Sequence, residues 1–192
     1  MSFEKKEKDM YTKIFDEKTF NIIFVGVAGL LPNIMGIEFF IDNVLDEIES
    51  ELYIIGKGME KYKQEFENKS KKVHVLGTVD CLDEYYIDAD AVISPIFSGG
   101  GMKIKTGEAL SYWKTIFGTT EAFEGYELDY DKVGGLCNTS EEFIKKINNY
   151  IKWWKENNKP KFNKYSKNIF SEKYSYESSI KKFQEIFKNL EK

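Results

Sequence analysis

Short apolar runs that each stop at Gly or Pro constrain this chain more than any other feature. They lie at 21–26, 52–55, 73–76, 91–94 and 115–117, closed by Gly26, Gly56, Gly77, Pro95 and Gly118. Runs of this length, punctuated this way, read as buried strands. Between them the pattern changes to a helical period. Over 34–48 the residues Ile37, Phe40, Ile41, Val44, Leu45 and Ile48 recur on one face. Asn33 stands just before that run and suits a helix N-cap. Further helices are expected over 59–67, 82–87 and 102–112. A short sixth strand is expected at 134–136, a helix from Ser140 to Trp153, and a last amphipathic helix over 171–190. Strands alternating with helices imply right-handed βαβ units and a parallel sheet covered on both faces. The expected fold is therefore α/β, a Rossmann-like parallel sheet. With 192 residues there is room for one such domain, over 21–192, after a charged lead-in at 1–20.

Such sheets hold ligands beyond the carboxyl ends of their strands. Those ends are where this sequence concentrates its glycines, so backbone can approach a ligand closely there. Composition narrows the ligand. The formal net charge is −4, which gives no reason to expect a nucleic acid polymer as partner. The chain has no Arg, so every cationic contact must come from Lys, a point charge without a bidentate fork. Charge is unevenly spread: residues 141–192 carry thirteen Lys against seven Glu. Cys81 and Cys137 are too few for a disulfide framework, and no His, Cys or Asp cluster has metal-ligand spacing. No metal and no cofactor are expected. The apolar runs are too short to span a bilayer, and residues 1–8 are charged with no apolar signal region after them. The default expectation is a cytoplasmic protein with two reduced thiols.

The segment richest in chemistry runs from Pro95 to Leu110, reading PIFSGGGMKIKTGEAL. A strand ends, three glycines follow and a helix begins. Consecutive glycines cost stability, so they need a reason. Bare backbone N–H groups at a helix start, helped by the helix dipole, favour a phosphate or diphosphate. Lys103 and Lys105 lie where cations oppose the dipole, and a bound diphosphate would give both a partner. Glu108, about one turn on, suits a ribose diol. A flexible loop followed by a solvated helix with an i,i+3 Lys–Glu pair is the competing reading. His74, the only histidine, sits in a strand pattern and reads as structural. Tyr85 and Tyr86 read as packing residues, and Asp88 and Asp90 as helix-end and turn residues. Trp153, Trp154, Phe162, Tyr165, Phe170, Tyr174 and Tyr176 interleave with lysines. That tract suits packing on this domain, a surface for a second domain, or peripheral contact with an anionic membrane.

The Pro95–Leu110 segment resembles the donor-site motif of family four of the retaining GT-B glycosyltransferases. Other stretches follow in the family's order. Phe24-Val25-Gly26 with Pro32-Asn33 resembles the opening strand and loop of its C-terminal domain. Tyr53 to Gly58 resembles the second strand and turn, and Val73 to Val79 the strand and loop facing the nucleotide base. Gly118-Thr119 with Glu124-Gly125 resembles the strand end after the motif helix. The resemblance implies a nucleotide-sugar donor bound by Gly26, Gly77, Thr78, Val79, Ser98, Gly99, Gly100, Gly101, Met102, Lys103, Lys105 and Glu108. Of these, Lys105 would lie at the diphosphate and Glu108 at the ribose, as the residues closest to catalysis. It departs from the family in having glycine where many members carry a sugar-contacting glutamate, and no charge between Gly26 and Gly36. It implies hexosyl-type transfer with retention. It also implies an N-terminal acceptor domain, in the same parent chain or a separate subunit, without which the chain would be inactive. A non-catalytic nucleotide- or sugar-phosphate-binding module is the alternative, and an epimerase of related fold a more distant one.

Overall fold

The computed structural model describes residues 13–190. Most of the lead-in, residues 1–12, lies outside the described residues. Six strands form one parallel sheet: β1 (Asn21–Val25), β2 (Glu51–Ile55), β3 (Val73–Gly77), β4 (Ala91–Ser94), β5 (Thr115–Gly118) and β6 (Gly134–Leu136). Their order is β3-β2-β1-β4-β5-β6, so the chain reverses its winding between β1 and β4. Among the described residues, eight α-helices accompany them: α1 (Leu31–Asn43), α2 (Lys63–Lys69), α3 (Leu82–Asp88), α4 (Ile104–Ser111), α5 (Tyr130–Val133), α6 (Ser140–Glu156), α7 (Lys164–Ile169) and α8 (Tyr176–Leu190).

Every residue of β1 is buried, as a central strand covered on both faces requires. Its side chains alternate between two cores. Ile22 and Phe24 join Ile37 and Phe40 of α1, Phe66 of α2 and Phe143 and Ile147 of α6. Ile23 and Val25 join Tyr86 of α3, Ala109 and Leu110 of α4 and Ile169 of α7.

Several helix bounds differ from the sequence expectation. The first helix begins at Leu31, not after Asn33, because Pro32 occupies its first turn, where a missing N–H is harmless. Asn33 is therefore inside the helix and buried. The same helix stops at Asn43, and Leu45–Glu47 forms a separate 3₁₀ turn. The 59–67 segment likewise divides into a 3₁₀ turn at Met59–Tyr62 and α2. In the Lys/Asn-rich stretch, Asn163 accepts from Ser166 N–H at 3.1 Å and so starts α7, which helical periodicity did not reveal. A π turn at Phe170–Tyr174 separates it from α8.

Asp88 and Asp90 do more than end a helix. Asp88 accepts from the N–H groups of Ile14 and Phe15, both at 2.7 Å, and lies 2.9 Å from the Lys161 ammonium. Asp90 accepts from Asn21 N–H at 2.8 Å. Lys114, fully buried, donates to the carbonyls of Ile87, Ala89 and Lys161. These bonds fasten the segment before β1 and the segment after α6 to the amino end of the sheet. His74 pairs with Glu51 at 2.7 Å and stacks on Tyr53, a structural setting. Cys81 and Cys137 are free. Of the aromatic tract, Trp154, Phe170 and Tyr174 are buried against this domain. Tyr176 and the α8 residues Phe183, Ile186 and Phe187 are exposed. Among the described residues no helix is long and apolar enough to cross a membrane.

Candidate functional site

The winding reverses between β1 and β4, and the carboxyl end of the sheet at such a reversal is the usual ligand position in this architecture. The loops on its β1 side lie backbone to backbone. Gly26 N–H donates to Ile55 O at 2.9 Å, and Gly56 N–H to Gly77 O at 2.7 Å. A Cβ on Gly56 would fall 2.0 Å from the Gly26 carbonyl oxygen, so only glycine permits this approach.

The β4 side carries the glycine loop. Gly99 has φ +135° and Gly101 φ +71°, conformations that other residues adopt only with strain. Space beside Gly100 and Gly101 is open, and Ser98 is exposed. Among the described residues, no backbone N–H from Gly99 to Lys105 has a hydrogen-bond partner. The helix α4 that follows has no side-chain cap. Its first turn thus presents unsatisfied donors at the positive end of the helix dipole.

The two lysines of this turn differ. Lys103 donates to Glu121 at 2.6 Å, to Glu124 at 3.3 Å and to the Gly101 carbonyl at 2.7 Å. It was expected to await a phosphate, but two carboxylates and its own loop already hold it. Lys105 donates to Asn33 Oδ1 at 2.5 Å and sits 4.5 Å from the centre of the Phe24 ring. Burial lowers its pKa from the usual 10.5 to about 8, partly offset by the Glu108 charge. Glu108 is half-buried and accepts from Tyr86 Oη at 3.4 Å. Burial, then the Glu108 charge, pushes the Tyr86 phenol well above its ordinary value, so it stays a donor. Beneath them Tyr86 stacks on Tyr112 at 4.6 Å.

Met102 turns away from the loop. Its side chain packs against Gly125, where a Cβ would lie 2.5 Å from Met102 Cγ. Thr78 and Val79 line a shallow groove of about 420 Å³ with Leu76, Asp80, Glu84 and Tyr85, at the carboxyl end of β3. Gly77 leads into it with φ +68°. The donor set expected from sequence therefore divides among three places: the β1 loop, the glycine loop with α4, and the β3 groove. Asn33 and Tyr86, which touch Lys105 and Glu108, were not singled out as site residues. Neither were Glu121 and Glu124, which engage Lys103. Among the described residues no cluster of His, Cys, Asp or Glu could hold a metal.

The winding order defines a Rossmann-like architecture with an open loop at its reversal. The family model for glycosyl transferases group 1 matches residues 19–152, and the chain belongs to that family. Comparison with curated protein sequences finds no match. Solved structures share the fold at low identity. HepE of Anabaena, in complex with UDP and glucose, superposes with a TM-score of 0.66 at 16% identity, over 89% of this chain and 48% of that one. The pneumococcal O-GlcNAc transferase GtfA, with UDP and GlcNAc, gives 0.67 at 14%, over 100% and 39%. TarM of S. aureus gives 0.66 at 17%, over 95% and 38%. The chain thus has the fold of the C-terminal domain of a GT-B glycosyltransferase and spans less than half the length of these structures.

Proposed function

We propose that this domain binds the nucleoside diphosphate of a nucleotide-sugar donor for glycosyl transfer with retention, of hexosyl type. The observation that carries this reading is the run of N–H groups from Gly99 to Lys105 that, among the described residues, have no partner, at the sheet's winding reversal and beside a lysine with no described carboxylate at contact distance. In this reading those donors receive the diphosphate, and Lys105 offsets charge as the leaving group departs. Glu108, oriented by Tyr86, accepts from the ribose hydroxyls. The base lies along the Thr78–Val79 groove. The ligands of HepE and GtfA, UDP with a sugar, favour the same class of donor. A second Rossmann-like domain, in the same parent chain or a separate subunit, supplies the acceptor, and this domain alone transfers little. No metal or further cofactor takes part.

Titration calorimetry with UDP, GDP and TDP tests the reading. One nucleotide binds, and Lys105→Ala and Glu108→Ala each weaken it by about 1–3 kcal/mol, the range for a charge-assisted hydrogen bond. Equal binding by wild type and both variants removes this site from consideration. Binding without transfer, even with an acceptor domain supplied, would favour a non-catalytic nucleotide-binding module.

A further inference from the structure

The two lysines that start α4 are held in opposite electrostatic manners, although they are two residues apart. Lys103 is neutralised by Glu121 and Glu124. Lys105, among the described residues, has no carboxylate within ion-pair distance; its direct partners are an amide oxygen and an aromatic face. Neither removes its charge. The amide belongs to Asn33, on the first turn of α1 and 72 residues away in sequence. Asn33 is 4% exposed, and its other end is fixed as well: Nδ2 donates to the Val27 carbonyl at 2.9 Å. The two contacts set which end of the amide is which, since a carbonyl needs the NH₂ and an ammonium needs the oxygen. Gly26 completes the seat, because a Cβ there would fall 2.9 Å from Asn33 Nδ2.

Alternative residues would fail here for definite reasons. An aspartate would set an oxygen against the Val27 carbonyl and would cancel the lysine's charge. An apolar side chain would leave a half-buried ammonium without an acceptor, which is costly. Only an amide both anchors the β1 loop and holds the ammonium while leaving its charge available to an anion.

We propose that Asn33 is a positioning residue for phosphate recognition: it pins the Lys105 ammonium between the β1 loop and the start of α4 through a neutral acceptor, keeping the charge for the ligand. The inference rests on the donor-binding reading above. It differs from the helix-cap role that sequence suggests for Asn33, since the side chain caps no helix.

The test uses the full 192-residue chain and two probes, inorganic pyrophosphate and UDP, titrated by calorimetry into wild type, Asn33→Ala, Asn33→Asp, Lys105→Ala and the double variants. Asn33→Ala is expected to weaken both probes about tenfold, the worth of a hydrogen bond to a charged group. Asn33→Asp, nearly isosteric, weakens them at least as much because it neutralises Lys105. In the Lys105→Ala background either change at Asn33 has almost no further effect, as residues acting through one another require. A spectroscopic readout separates positioning from general folding: the ¹³Cε resonance of Lys105 titrates at higher pH in Asn33→Asp than in wild type. Should Asn33→Ala fail to fold, as judged by its thermal melt, the Asp variant and its cycle decide alone. Wild-type-like binding by the Asn33 variants, or an equal loss in the Lys105→Ala background, overturns the inference and leaves the donor site standing. A wild type that binds neither probe overturns both.

Discussion

The Pro95 carbonyl oxygen fills the space beside Gly36 so closely that a Cβ on Gly36 would fall 1.9 Å from it. The helix that follows β1 therefore rests directly on the turn that ends β4. This contact sets the spacing of the two loops flanking the candidate site. Gly36→Ala cannot be absorbed by a side-chain rotation, because the obstacle is backbone. We expect it to destabilise the domain by about 1–3 kcal/mol, the usual cost of overpacking. Nucleotide affinity should fall with it, since either Pro95 or α1 must move. A lower urea midpoint with an unchanged slope would report the first effect, and calorimetry the second.

Lys105 ties the site to pH. Its folded pKa, about 8, lies below the usual 10.5, so between these values the unfolded chain holds more protons than the folded one. Stability must then rise with pH across that window, as the buried ammonium loses its proton. Lys105→Met should be more stable than wild type at pH 7, with the difference shrinking between pH 8 and pH 10.5. Diphosphate binding works in the other direction, because a nearby anion favours the charged lysine. Calorimetry near pH 8.5 in buffers of different ionisation enthalpy should reveal proton uptake on nucleotide binding, absent in Lys105→Met. Uptake of equal size in both proteins would mean that another group is responsible.

Lys103 should behave differently from its neighbour. Its links to Glu121, Glu124 and Gly101 fasten the glycine loop to the turn after β5, and Tyr126 Oη adds a bond to the Lys103 carbonyl at 2.9 Å. Lys103→Met removes the ammonium that joins loop to turn. Backbone ¹⁵N order parameters over residues 98–103 should fall, while affinity for nucleotide falls less than in Lys105→Ala. If Lys103→Met proves the more damaging change for binding, the loop lysines have been assigned the wrong way round.

Strands closed by Gly or Pro, and a glycine run at a helix start, could be read directly because each is a local pattern. That sufficed for the sheet, for its parallel sense and for the position of the glycine loop. What escaped is what only folding brings together. Asn33 and Lys105 stand 72 residues apart, and nothing local to either names the other. Local chemistry also misled at Asn33: Asn before an apolar helical run suits a cap, but Pro32 moved the helix start upstream. At Lys103, partners in the turn after β5 satisfied a charge that spacing alone left open. α7 was missed because its start depends on the Asn163 side chain, not on apolar periodicity.

Asp88 offers a stability test remote from the ligand. Its carboxylate is buried, yet one oxygen accepts from the N–H groups of Ile14 and Phe15 and the other faces Lys161. Burial alone would raise its pKa from 3.8, but Lys161 and the two N–H groups together bring it below that value. A depressed carboxyl contributes stability that is complete above pH 3.8 and is lost as pH falls through the folded value. Asp90 works against it, since burial leaves its carboxyl raised. Asp88→Ala would leave two backbone donors without their acceptor and leave Lys161 only the more distant Asp90, at 3.7 Å, as a carboxylate partner, a loss of about 3 kcal/mol, the lower end for breaking a buried pair. Asp88→Asn retains the shape and removes the titration. Urea unfolding of wild type and Asp88→Asn between pH 3 and pH 7 should give curves that converge only below about pH 4. Curves separated by a constant amount throughout would show that the Asp88 charge does not fasten the segment before β1.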